Sequence, residues 1–208
     1  QINDPKGEYP ENIKVSEISN FNSCGEKVFD RLEQTAKEVL RALALHLNID
    51  EFYFDDWVIG GNSILRALHY PPVREEQKKS IRAAAHGDIN LITLLMGAHG
   101  KGLQVKNNKD EWIDAIAEKD ELMINVGDML SRLTNNKLKS TIHRVVNPNA
   151  QIVNKSRYSI PFFMHPKLHM PLNCLENCID DSNPKQFEDC TAGEFLTERL
   201  IELGLIKK

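Results

Sequence analysis

The strongest constraint on this 208-residue chain is a change of texture at residue 63. From there to about residue 173, short apolar runs are broken by turn-forming residues at intervals of roughly ten, the spacing of an all-β sandwich or barrel. The runs predict strands over 64–70, 89–96, 102–106, 111–116, 122–125, 141–146 and 158–164, with an eighth over 170–175. Seven or eight short strands suit a jelly roll, whose two facing sheets leave a mouth for a ligand.

The flanks read differently. Residues 1–22 carry Pro5, Gly7 and Pro10 without a sustained period and read as an extended lead-in. Ser23 and Glu26 have capping-box spacing, and Val28, Phe29, Leu32, Ala36, Val39, Leu40, Leu43 and Leu47 follow on one helical face. This predicts a helix over 26–47 that buttresses the barrel through Val28, Leu32, Val39 and Leu43. Asp50 can cap a second short helix running to Trp57, and Gly60-Gly61 ends it. Thr191 and Glu194 repeat the capping-box spacing ahead of Phe195, Leu196, Leu200 and Leu203, a closing helix stopped at Gly204.

Charge and composition exclude several classes. Twenty-six Lys and Arg against 30 Asp and Glu give a net charge of −4, so no whole-chain field recruits nucleic acid or acidic lipid. The richest apolar stretch, 89–98, falls far short of the roughly 20 apolar residues that span a bilayer. Four cysteines are too few for a disulfide scaffold, and without a signal peptide the expected compartment is the cytoplasm. Cys174, Cys178 and Cys190, with His169 nearby, lack the paired knuckle of a zinc site and read as isolated thiols.

Three residues could hold a metal. His86 and Asp88 are two apart where an Ala-rich approach becomes a strand, and residues two apart on a strand share a face. His143 follows Asp88 by 55 residues, in the strand-like stretch 140–146. Two imidazoles and one carboxylate with open positions are the donor set of non-haem Fe(II) oxygenases. Either histidine alone is more often an ordinary hydrogen-bonded residue. Fourteen residues after His143, Arg157 and Ser159 share strand parity and could grip a small carboxylate, although a solvated surface arginine is the commoner reading of that tripeptide. Asn90 has the parity of His86 and Asp88 and is expected to face the pocket, with His69, Leu103 and Leu138 as wall residues.

With those motifs in place, residues 62–166 resemble the iron-dependent oxygenase family that includes isopenicillin N synthase and the plant 2-oxoglutarate dioxygenases. The matching stretches are 65–72 (LRALHYPP), 86–95 (HGDINLITLL), 102–105 (GLQV), 124–128 (INVGD), 133–136 (LTNN), 142–145 (IHRV) and 157–163 (RYSIPFF). The resemblance implies a mainly β chain with flanking helices around a double-stranded β-helix (jelly-roll) core. It implies that His86, Asp88 and His143 bind Fe(II), that Arg157 and Ser159 anchor the cosubstrate 2-oxoglutarate, and that Tyr70 helps hold that carboxylate. Leu68 stands where plant members usually carry Asn, and Gly87 replaces the commoner Thr, Ser or Glu between the ligands. The chain opens at Gln1 without Met, and family members carry a longer N-terminal portion, so a fragment or a shortened lineage is expected.

The expected organisation is therefore a lead-in with buttressing helices over 1–61, the oxygenase barrel over 62–175, and a C-terminal tail and helix over 176–208. The expected activity is oxidation of a small-molecule substrate with O2 and 2-oxoglutarate. Alternatives are an oxidase like isopenicillin N synthase, in which the Arg157-Ser159 pair grips the substrate itself, and a non-catalytic barrel that binds a small acid. No nucleic-acid or membrane partner is expected, and a homo-oligomer is possible if barrel surface is left uncovered.

Overall fold

The computed structural model describes residues 11–72, 81–96, 102–118, 120–147 and 156–207, so the first ten residues of the lead-in lie outside it. Helix α1 (Phe21–His46) and the short α2 (Asp55–Val58) precede the strands β1 (Ile64–Leu65), β2 (Leu68–Tyr70), β3 (Ala83–His86), β4 (Ile92–Met96), β5 (Leu103–Lys106), β6 (Trp112–Asp114) and β7 (Leu122–Val126). Then come α3 (Asp128–Leu133), β8 (His143–Val145), β9 (Arg157–Ser159), β10 (Pro161–Met164) and α4 (Ala192–Glu202). The strands form two four-stranded sheets, β1-β10-β4-β7 and β3-β8-β5-β6, with β2 and β9 as a separate pair. Every ladder is antiparallel, as the turn-punctuated pattern requires.

Two of the expected strands are each split in two. Residues 64–70 and 158–164 bend together, so that β1 pairs with β10 in one sheet while β2 pairs with β9 apart from it. Pro161 explains the break: it lacks an amide proton and biases Ile160 away from a regular ladder, and its carbonyl accepts from the Arg66 amide at the matching bend. The strand expected over 89–96 begins only at Ile92. Before it the backbone is pinned as a loop, with the Leu91 amide on the Met164 carbonyl and the Leu91 carbonyl on the Gly127 amide. No strand forms over 170–175. Pro171 makes a single bridge to Thr191, and the tail is held by bonds from the Leu172 amide to Cys190 and the Ala192 amide to Met170.

Helix α1 starts earlier than its sequence suggests. Asn20, at φ 67°, takes the left-handed turn that asparagine tolerates, and Phe21 begins the helix. Ser23 is thus inside the first turn, its hydroxyl donating to the Asn20 carbonyl instead of capping. The buried stripe is Leu32, Ala36, Leu40 and Ala44. Val28, Val39 and Leu43, expected at its centre, flank it as partly buried residues. Small Ala36 and Ala44 let the helix approach β10 and β4, where Phe29 meets Phe162 edge to face at 5.2 Å. In the second helix only 55–58 is helical. The Asp50 carboxylate accepts from the Phe52 amide in a turn, and Asp55 is tied to Arg41 of α1 at 2.5 Å.

One core runs through the whole assembly. Leu40 and Ala44 of α1, Ile92 and Leu94 of β4, Leu130 and Leu133 of α3, Phe162 and Met164 of β10, and Phe195 of α4 belong to a single buried cluster. It lies on the outer face of the first sheet, under the helices. The cap of α4 forms as its spacing predicts, with Thr191 Oγ1 accepting from the Glu194 amide at 3.2 Å and Glu194 accepting from the Thr191 amide at 2.7 Å. Because the core is outside, the opposite face of that sheet is free to line an interior. Registry assigns that face Ile64, Phe163, Thr93 and Asn125, paired in one row across β1, β10, β4 and β7.

Candidate metal centre and carboxylate clamp

The interior row meets the second sheet at its most polar point. His86 ends β3 and is the direct antiparallel partner of His143, the first residue of β8, so the two rings lie 4.4 Å apart, centroid to centroid. Asp88 is brought beside them by the loop after β3, with Oδ1 3.8 Å from His143 Nε2. One ligand atom from each of the three lies within 4.8 Å of the others, a cluster compact enough to be drawn onto one ion. Asp88 does not share a strand with His86: β3 stops at His86, and the chain bends at Ile89 and Asn90. A Cβ at Gly87 would sit 2.9 Å from both Asp128 Oδ1 and Ser140 Oγ, so a side chain here requires those oxygens to move.

Each ligand is oriented by a partner behind it. A carbonyl can only accept, so His86 Nδ1, 2.7 Å from the Ala84 carbonyl, and His143 Nδ1, 3.0 Å from the Thr141 carbonyl, carry the ring protons. Both Nε2 lone pairs are then available to a metal. Asp88 is 7% exposed, and its Oδ2 accepts from Thr93 Oγ1 at 2.7 Å and from Asn125 Nδ2 at 2.9 Å, leaving Oδ1 for an ion. Sequence reasoning did not single out Thr93 or Asn125. Their signal was a polar side chain in an apolar strand, inward by parity. Asn90, expected in the pocket, is instead fully buried in the loop, donating to the Ile92 carbonyl and to Thr93 Oγ1. The break in the strand before Ile92 removed the parity on which that expectation rested.

The residues expected to clamp a carboxylate are set by β2 and β9. Arg157 and Ser159 are 3% and 6% exposed, whereas Tyr158 between them faces outward. Registry puts Tyr70 opposite Arg157 and Leu68 opposite Ser159. The Arg157 guanidinium lies over the Tyr70 ring at 5.2 Å, and Arg82 approaches the same ring at 5.9 Å. Burial, and secondarily the nearby Arg82, hold the Arg157 guanidinium below its usual pKa, against an opposing pull from Tyr70. Arg157 Nε is buried without a hydrogen-bond partner, and no carboxylate among the described residues pairs with this side chain. A buried cation left this way is costly unless an anion joins it, so the donor set fits a small carboxylate. His69, expected as a wall residue, alternates outward and stacks on Tyr158 at 4.8 Å. Leu138 is partly buried and packs against the hydrophobic core.

The remaining candidates do not form a site. Cys24, Cys174, Cys178 and Cys190 are free thiols, and the only His/Cys/Asp/Glu group close enough to hold a metal among the described residues is His86, Asp88 and His143. Among those residues, no helix is long and apolar enough to cross a membrane.

Comparison with known proteins places this geometry among relatives. The family model for the 2OG-Fe(II) oxygenase superfamily matches residues 61–166, the stretch that carries all six of these side chains. The 2-oxoglutarate-Fe(II) type oxidoreductase hxnY of Emericella nidulans is 33% identical over 197 residues, covering 93% of this chain and 52% of its own. A Caulobacter crescentus protein assigned to the 2OG-Fe(II) oxygenase family superposes with a TM-score of 0.88 at 41% identity, over 95% of this chain and 64% of that one. A full-length Neurospora crassa protein, solved in complex with alpha-KG, gives 0.85 at 34% identity, over 95% and 63%. The chain spans about half the length of the curated relatives it matches.

Proposed function

Because the chain belongs to the 2OG-Fe(II) oxygenase superfamily, we propose that it oxidises a small organic molecule with O2 and 2-oxoglutarate, using an iron held by His86, Asp88 and His143. The observation that carries this reading is the pairing, in one barrel, of a three-residue metal cluster with a buried arginine that has no anionic partner among the described residues. That the Neurospora crassa relative was solved with alpha-KG supports a 2-oxo acid as the occupant.

Each residue then has a task. His86 and His143 present Nε2 because their Nδ1 protons are held by Ala84 and Thr141. Asp88 presents Oδ1 because Thr93 and Asn125 hold Oδ2. Fe(II) bound there supplies O2-activating redox chemistry, with 2-oxoglutarate as the electron source. Arg157 offers its planar fork and Ser159 a hydroxyl to the distal carboxylate of the cosubstrate, while Tyr70 packs under the guanidinium and fixes its plane. Ile64 and Phe163, on the inner row beside Thr93, form apolar wall that excludes water and orients the substrate.

The test is an anaerobic optical titration of the Fe(II) protein with 2-oxoglutarate, followed by assay of succinate release under O2. Arg157→Lys keeps the charge but loses the fork, so cosubstrate affinity should fall while metal binding is unchanged. A wild-type protein that binds iron but neither binds 2-oxoglutarate nor releases succinate would overturn the proposal. O2 consumption under those conditions would identify the oxidase alternative, and its absence the non-catalytic barrel.

A further inference from the structure

A second concavity, of about 730 Å3, backs onto the metal loop, since its lining residues Asp128 and Ser140 are those a Cβ at Gly87 would meet, but it shares no residue with the metal cluster or the candidate carboxylate clamp. It is bounded by α3, the turn that follows it, the C-terminal tail and α4, and none of His86, Asp88, His143, Arg157, Ser159 or Tyr70 lines it. Three cations face it, Arg132, Lys139 and Arg199, against a single carboxylate, Asp128.

Two of these cations are held in place with donors unused. The Arg132 guanidinium lies 5.1 Å from the Phe187 ring and 5.5 Å from the Phe195 ring, and its Nη2 donates to the Glu188 carbonyl. Arg199 pairs through Nη1 with Glu202. In both side chains Nε is buried without a hydrogen-bond partner, and Ser140 Oγ in the same cleft is a third such atom. Those three atoms are closed off from solvent, so what the cavity offers a ligand is the excess of positive charge along its lining. Clamping Arg132 between aromatic rings also removes most of the side-chain entropy that binding would otherwise cost.

We propose that this cleft is a second binding site, for a small anion bearing a carboxylate or a phosphate, held by the positive charge of Arg132, Arg199 and Lys139 along its lining. A guanidinium suits the paired oxygens of either group, and a preorganised side chain loses little freedom on binding. The site is independent of the cosubstrate clamp, because it shares no residue with it.

The test removes the clamp first. In an Arg157→Gln background, metal-free protein is titrated calorimetrically with inorganic phosphate and, separately, with malonate at constant ionic strength. Saturable binding of at least one anion is expected, weakened about tenfold by Lys139→Ala/Arg199→Ala, which removes two of the three cations. Phosphate alone would identify a phosphate ester as the natural ligand class, malonate alone a carboxylate, and both a site that accepts either. Lys139→Glu reverses the charge of an exposed residue that no core contact requires, so it provides a folded variant even if the double substitution lowers stability, and it should weaken binding at least as much. Failure of both anions to bind, or binding that Lys139→Glu leaves unchanged, would overturn the proposal.

Discussion

Replacing Thr93 with valine removes one hydroxyl and little else. Thr93 is 4% exposed, its Oγ1 donates to Asp88 Oδ2 at 2.7 Å, and it accepts from Asn90 Nδ2 at 3.0 Å. In Thr93→Val the carboxylate keeps its bond from Asn125, and Asn90 keeps the Ile92 carbonyl, so only one bond to a buried charge is lost outright. Such a bond contributes about 1.5–3 kcal/mol. Its loss leaves Asp88 free to rotate, which competes with an ion at Oδ1. Metal affinity should therefore fall about 10–100-fold, or about 1.4–2.8 kcal/mol, the range expected for a partner that orients a ligand from behind. Mn(II) binding followed by electron paramagnetic resonance reads this directly, and metal-free thermal melts show that the fold survives. Asn125→Leu should act in the same direction. Because both donors share one oxygen, the double variant should depart from the sum of the two single effects. If Thr93→Val binds Mn(II) within about twofold of the parent while Asp88→Ala binds none, the carboxylate is positioned by something other than this hydroxyl.

The core and the proton balance give two further expectations. Leu40→Ala, at a fully buried position of α1 under the first sheet, should cost about 2–5 kcal/mol. Urea denaturation should show a lower midpoint at unchanged slope, and a loss below about 1 kcal/mol would mean that α1 is not seated on β4 and β10 as described. His165, next after β10, has its imidazole pushed down to about 4 by burial, against a smaller pull from the Asp88 carboxylate. The unfolded chain takes up this proton near 6.5 and the folded chain does not, so the metal-free protein should lose stability as pH falls from about 6.5 to about 4, by at most about 3 kcal/mol. A His165→Gln variant with the same pH profile as the parent would show that another group governs this range.

What the chain's sequence determined by itself was local. Turn residues at short intervals fix a strand-rich centre, because Gly, Pro, Asn and Asp punctuate whatever the rest of the molecule does. The capping box at Thr191 and Glu194 forms because both partners lie within one turn. His86, Asp88 and His143 were legible as a donor set, and Arg157 and Ser159 as a pair, since residue chemistry and period-two spacing are carried by the string itself. Tertiary structure decided everything that depended on pairing across distance. The bend at Ile160-Pro161 becomes a division between ladders only because residues 66–67 bend opposite it. Asp88 reaches the histidines from a loop, not a strand, because the Met164 and Gly127 backbone ties hold the chain at Leu91 until β4 begins. Thr93 and Asn125 orient Asp88 because adjacent strands bring them into register with each other on the inner face. Asn90, one residue outside that arrangement, is taken up by the loop. Arg157 illustrates the same division: its guanidinium was readable as a possible grip, but only the fold buries it against Tyr70 with no carboxylate of its own among the described residues. A sequence specifies which side chains can donate, accept or ligate; which are left unsatisfied, and so have something to bind, is set by the neighbours that folding supplies.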